Sequence, residues 1–87
     1  MRIVLAAAAL LFAGPALAGP TCTEEPRSKW LTKDEMVKKI KADQYTIGVF
    51  KVTSGRCYEI YGRDKTGKRV EVYFHPMTGE AVRTRTR

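Results

Sequence analysis

Apolar residues recur along this chain with three different spacings, and each spacing predicts a different element. The first is an unbroken run, Ile3 to Ala13, behind a single charge at Arg2 and ahead of Gly14-Pro15 and the small-residue pattern Ala16-Leu17-Ala18. That order is the one found in secretory signal peptides, so cleavage is expected after Ala18, giving a signal peptide over 1–18. The run is shorter than the roughly 20 residues that a membrane-spanning helix needs, and Gly14-Pro15 would break it. Cys22 lies beyond Gly19-Pro20-Thr21, too far from the cleavage point to carry a lipid. Residues 19–29 are polar and interrupted by Pro20 and Pro26, which predicts an extended tether carrying Cys22. Trp30 and Leu31 open the domain proper, 30–87, with Trp30 as a packing anchor.

The second spacing is helical. Thr32 followed by Glu35 has the form of a capping box, and Leu31 with Met36 can form the hydrophobic staple around it. Met36, Val37 and Ile40 then make one apolar face, while Lys38, Lys39 and Lys41 take the solvent side and suit the negative end of the helix dipole. The helix should end near Asp43 or Gln44.

The third spacing alternates. Tyr45 to Val52 is rich in β-formers, but alternation fails at Val49-Phe50, which a bulge near Gly48 or burial on both faces would explain. In Cys57 to Arg63, Tyr58 and Ile60 share one face, and Cys57, Glu59 and Tyr61 the other. In Lys68 to His75, Val70, Val72 and Phe74 oppose Glu71, Tyr73 and His75. Asp64 to Gly67 and Pro76 to Gly79 have the composition of turns. Ala81 and Val82 start a fourth strand. Arg83-Thr84-Arg85-Thr86-Arg87 is either its frayed end or a mobile basic tail. The pattern predicts an α+β domain: one N-terminal helix packed on the apolar face of a three- to four-stranded antiparallel sheet. The other face would be amphipathic, with Glu59, Glu71, Tyr61 and Tyr73 close together.

Composition narrows the class. With 87 residues in all, the chain holds one small domain, whose core is marginal without a staple. Its two cysteines, Cys22 and Cys57, both follow the leader, and in an oxidising compartment they imply one disulfide. On the chain-entropy account such a closure contributes about 4 kcal/mol. Because Cys57 belongs to the face away from the helix, the disulfide should draw the tether toward that face or its edge. Sixteen Lys and Arg against 9 Asp and Glu give a formal charge of +7. No nucleic-acid recognition motif accompanies this excess, so anionic envelope surfaces or acidic proteins are the fitting partners, and solubility alone is the plainer explanation.

The candidate chemistry is sparse. There is a single histidine, no C-x-x-C, no phosphate loop and no nucleophile elbow, and oxidised cysteines leave no thiol nucleophile, so no catalytic, cofactor or metal site is expected. Glu59 and Glu71 can be cross-strand neighbours, but Arg63, Lys68 and Arg69 nearby make charge pairing the stronger reading. His75-Pro76-Met77 offers an imidazole and a thioether, yet two ligands in a turn are too few for copper.

The residues Cys22-Thr23, Pro26, Trp30-Leu31, Gly55-Arg56-Cys57-Tyr58-Glu59, Asp64, Gly67-Lys68, Val70 to Phe74, Pro76 and Thr78-Gly79-Glu80, in this order and spacing, resemble the small exported PepSY domain proteins of Gram-negative bacteria. His75 departs from the acidic residue expected before the proline, which weakens any metal or acidic role for that turn. The resemblance spans essentially the whole chain after the leader. It implies a helix on a small antiparallel sheet, a module of peptidase propeptides and membrane-associated proteins, and an inhibitory or regulatory role toward peptidases; no catalytic residue carries over.

The expectation is thus a non-enzymatic periplasmic or secreted module that binds another envelope protein, a peptidase among the candidates, through Glu59, Tyr61, Glu71, Tyr73, Arg83, Arg85 and Arg87. The alternative is a basic module on anionic membrane or polysaccharide.

Overall fold

The structure, a computed structural model, describes residues 19–87. The signal peptide expected over 1–18 lies outside the described residues. Along these residues a 3-10 turn, Arg27–Lys29, precedes one α-helix, α1 (Lys33–Ala42), and four strands: β1 (Thr46–Val52), β2 (Tyr58–Arg63), β3 (Arg69–Phe74) and β4 (Ala81–Thr86). The strands form one antiparallel sheet in sequence order, β1-β2-β3-β4. The closing residues are therefore strand, not tail.

Local chemistry sets the ends of the helix. Glu35 N–H donates to Thr32 Oγ1 at 3.1 Å, and Thr32 N–H donates to Glu35 Oε1 at 2.8 Å, so the capping box satisfies two of the free amides of the first turn. At the other end Gln44 takes the left-handed conformation, φ 71°, and turns the chain into β1. Met36 and Ile40 are fully buried and Val37 half-buried, while Lys38, Lys39 and Lys41 are exposed.

The core lies between α1 and one face of the sheet. Tyr58, Ile60, Val70, Val72 and Phe74 supply the sheet side, with Trp30, Met36 and Ile40 above and Leu31, Phe50 and Val52 packed around them. Trp30 meets Tyr58 edge-on at 5.5 Å, and the Tyr58 hydroxyl donates to the Leu31 carbonyl at 2.6 Å, which lets a polar tip end inside an apolar layer. The register of β1 on β2 shifts between Ile47 and Val49, the bulge that broken alternation announced. It puts Ile47 and Phe50 on the helix side and Val49 and Lys51 outside. Gly62 sits opposite the bulge, where an added Cβ would lie 1.9 Å from the Thr46 carbonyl oxygen.

The tether wraps the end of the sheet. Cys22 is bonded to Cys57, 35 residues on, with their Cα atoms 5.2 Å apart, and Cys22 N–H donates to the Gly55 carbonyl at 2.8 Å. Arg56, itself at φ 64°, sends its guanidinium to the Thr23 and Glu25 carbonyls and stacks over Trp30 at 5.2 Å. Gly19 rests against the Tyr73 ring on the outer face, whereas Trp30 enters the core on the helix face. Cys22 is not part of the helix–sheet core, so the disulfide holds the tether as its strand parity required.

Candidate functional site: the outer face of the sheet

Two rows of side chains cross the face that α1 leaves uncovered. Pairing aligns Lys51, Glu59, Tyr73 and Arg83 in one row and Val49, Tyr61, Glu71 and Arg85 in the next. Because side chains alternate strictly along each strand, all eight point away from the helix. At the centre, Glu59 opposes Tyr73 and Tyr61 opposes Glu71, so the two carboxylates and the two phenols occupy the diagonals of a square. Six of the seven expected contact residues, Glu59, Tyr61, Glu71, Tyr73, Arg83 and Arg85, line one hollow of about 470 Å³. The seventh, Arg87, lies beside it with its guanidinium 5.4 Å from the Tyr61 ring.

Glu59 and Glu71 are cross-strand neighbours as expected, meeting on a diagonal, but their cationic partners differ from the expectation and are not Arg63, Lys68 and Arg69. Arg63 and Arg69 face each other at the far end of the β2–β3 hairpin, where Arg63 donates to the Gly67 carbonyl at 3.0 Å. The pairs that form are Lys51 with Glu59 at 3.8 Å and Arg85 with Glu71 at 3.7 Å. Cross-strand register, not proximity along a hairpin, selects them. The face is also less open than a solvated sheet surface: Glu59 is 2% exposed, Glu71 8% and Tyr73 4%. Long flanking side chains and Gly19 at the start of the tether close over it.

The two carboxylates have unlike acidities. Burial pushes Glu59 up to about 7, the Glu71 carboxyl beside it adds to the rise, and Lys51 and Tyr73 oppose it. Glu71 is held below the ordinary carboxylate value, chiefly by the proton of Glu59 and further by Tyr61, Arg85 and Arg87. Tyr61 and Tyr73 are raised, Tyr61 mainly by its bond to Glu71 and Tyr73 mainly by burial. The pair thus keeps a proton toward neutral pH. Glu59 Oε2 is buried with no hydrogen-bond partner.

Groups that would turn this pair into a reactive site lie elsewhere. His75 sits in the β3–β4 turn, where its Nδ1 accepts from the Met77 N–H at 3.2 Å, and both cysteines are in the disulfide. Among the described residues no three His, Cys, Asp or Glu converge as metal ligands. Five residues that line the hollow, Gly19, Lys51, Val52, Thr53 and Ser54, are not among those the sequence singles out. Lys51 had a signal: once the bulge at Gly48 is placed, the parity of β1 turns it outward beside Glu59.

A family model described as peptidase propeptide and YPEB domain matches residues 2–85. No curated protein and no solved structure matches the chain. The matched span includes the tether, α1, the first three strands and most of β4, the same stretch over which the cysteine, turn and strand words follow one another. The chain belongs to the PepSY family of peptidase propeptide and YPEB domains.

Proposed function

We propose that this protein is a non-enzymatic periplasmic or secreted module, released by cleavage after Ala18, that binds an extended segment of an envelope peptidase along the free edge of β4 and so regulates it. PepSY domains are typically found outside the cytoplasm and are generally regulatory rather than catalytic, which supports the class. Among the described residues no helix is long and apolar enough to cross a membrane.

The observation that carries the reading is the hydrogen-bond parity of β4. Arg87 N–H donates to the Arg69 carbonyl at 2.9 Å, so Arg87, Arg85 and Arg83 turn their backbone groups toward β3. Thr84 and Thr86 therefore turn theirs outward, on a strand that is exposed along its whole length. An extended peptide can add to such an edge by main-chain bonding. With Arg83, Arg85 and Arg87 on the outer face, the best partner strand carries acidic side chains at alternate positions. Tyr61, Tyr73, Glu59 and Glu71 form the floor beside it.

Proline at Thr84 removes an outward N–H without breaking a bond to β3, and edge strands tolerate proline. The purified protein should slow a co-secreted peptidase, and Thr84→Pro should weaken that inhibition about tenfold, the worth of one hydrogen bond at a desolvated edge. Equal inhibition by both, or none toward any co-secreted peptidase, contradicts the reading.

A second reading, binding to anionic membrane or polysaccharide, is favoured by three arginines at alternate positions on one exposed strand. The exposed lysines of α1 lie on the other side of the sheet, so a single surface cannot engage both sets. Binding that collapses between low and physiological salt and disappears on deleting Arg83 to Arg87 would select this second reading.

A further inference from the structure

One oxygen of the hollow is left without a function by the fold around it. Lys51 reaches Glu59 Oε1, while Oε2 is buried without a well-formed hydrogen bond, beside the Glu71 carboxyl with which Glu59 shares a proton and the Tyr73 hydroxyl; an acceptor left so ordinarily costs about 1–3 kcal/mol. Arg85 is engaged with Glu71. The other polar side chains lining the hollow are Thr53, Ser54, Tyr61, Tyr73 and Arg83. The unsatisfied acceptor calls for a further donor, preferably cationic, because the pair it belongs to is acidic.

A residue placed to supply that donor is Gly19. It lines the same hollow as Glu59 and packs against Tyr73, the residue directly opposite Glu59 in the register. The approach is so close that a Cβ at Gly19 would stand 2.8 Å from Cε2, Cζ and Oη of that ring. Position 19 is thus shaped for glycine by the outer face itself. It is also the residue expected to become the first of the chain. Cleavage after Ala18 converts its nitrogen from an uncharged amide with one donor into an ammonium with several, which is charged at neutral pH.

We propose that the α-ammonium of Gly19, created by removal of the signal peptide, is the ligand of this hollow, donating to Glu59 Oε2 and fastening the processed amino terminus to the outer face of the sheet. The inference rests on cleavage after Ala18 and is independent of which partner the protein binds. Processing then changes the face itself: the unprocessed chain holds a carboxyl pair that shares a proton, and the processed chain holds an ion pair beside Tyr73. The hollow is completed only after export.

The test uses the full chain, expressed with its leader and purified after export. Intact mass should place the amino terminus at Gly19. In glycine-labelled protein, the pH titration of the Gly19 13Cα signal should give an α-amine pKa at least one pH unit above that of the same protein carrying Glu59→Gln, a tenfold or greater difference in proton affinity. Gly19→Ala, whose Cβ displaces the terminus from Tyr73 while the disulfide and core remain, should lower the α-amine pKa likewise, read from the labelled terminal alanine. An amino terminus at another residue overturns the proposal. So does an α-amine pKa that is the same in the parent protein and in Glu59→Gln, with amide spectra showing both folded.

Discussion

Glu59 concentrates the electrostatics of the molecule at a single residue. Its carboxyl rises to about 7 from the 4.5 of an unperturbed Glu, so where nothing donates to Oε2 the folded state binds more protons than the unfolded one between these values. Stability is then fullest below pH 4.5 and falls as pH rises toward 7, opposite in sign to a salt-bridged carboxylate. In protein whose Gly19 amine is acetylated, thermal melts should show this fall, and Glu59→Gln should abolish it and raise stability above pH 7 by about 1–3 kcal/mol. In the processed protein with its free amine the fall should be shallower, and Glu59→Gln destabilising at pH 7. Identical pH profiles for the acetylated and free chains would contradict the account. Of these residues, the alternation of β2 and β3 made Glu59, Tyr61, Glu71 and Tyr73 legible as one face. The pairing partners were not, because they depend on register across three hairpins. Arg56 was legible only as part of a sequence word; its left-handed backbone and its bonds to the tether come from tertiary contacts.

The elements are more legible in the sequence than the contacts between them. Thr32 and Glu35 announce the start of α1 because capping is chemistry within four residues, and the structure realises both bonds. Gly48 announced the β1 bulge by breaking alternation. Gly62 gave no signal, since its requirement lies across the sheet at Thr46, where β1 approaches closest. Substituting Gly62→Ala should therefore cost about 1–3 kcal/mol, by forcing β1 away from β2. A denaturant midpoint lowered by that amount, with the disulfide intact, is the expected result; an unchanged midpoint would mean that the β1–β2 approach is soft. The sequence leaves residues 83–87 open between strand and tail, because Arg-Thr alternation has no apolar face to declare its burial. Register settles it: Arg83 and Arg85 find Tyr73 and Glu71 on β3.

At the scale of the whole molecule, the disulfide and the tether make the two faces of the sheet unlike. One is sealed by α1 and Trp30, while the other is crossed at one end by the tether and carries the acid–phenol square with its arginine border. The closure of 35 residues by Cys22 and Cys57 contributes about 4 kcal/mol on the chain-entropy account, a large share of what a domain of this size has. It also keeps Gly19 near Tyr73, so the outer face depends on an oxidising compartment for its shape. The central claim is that this molecule acts by accepting an extended strand at β4. Amide hydrogen exchange of the processed protein, alone and with a secreted peptidase that it inhibits, tests the claim most directly. The account predicts that the Thr84 and Thr86 amides, which exchange freely in the isolated protein, become protected in the complex. Inhibition with both amides still exchanging freely would contradict it.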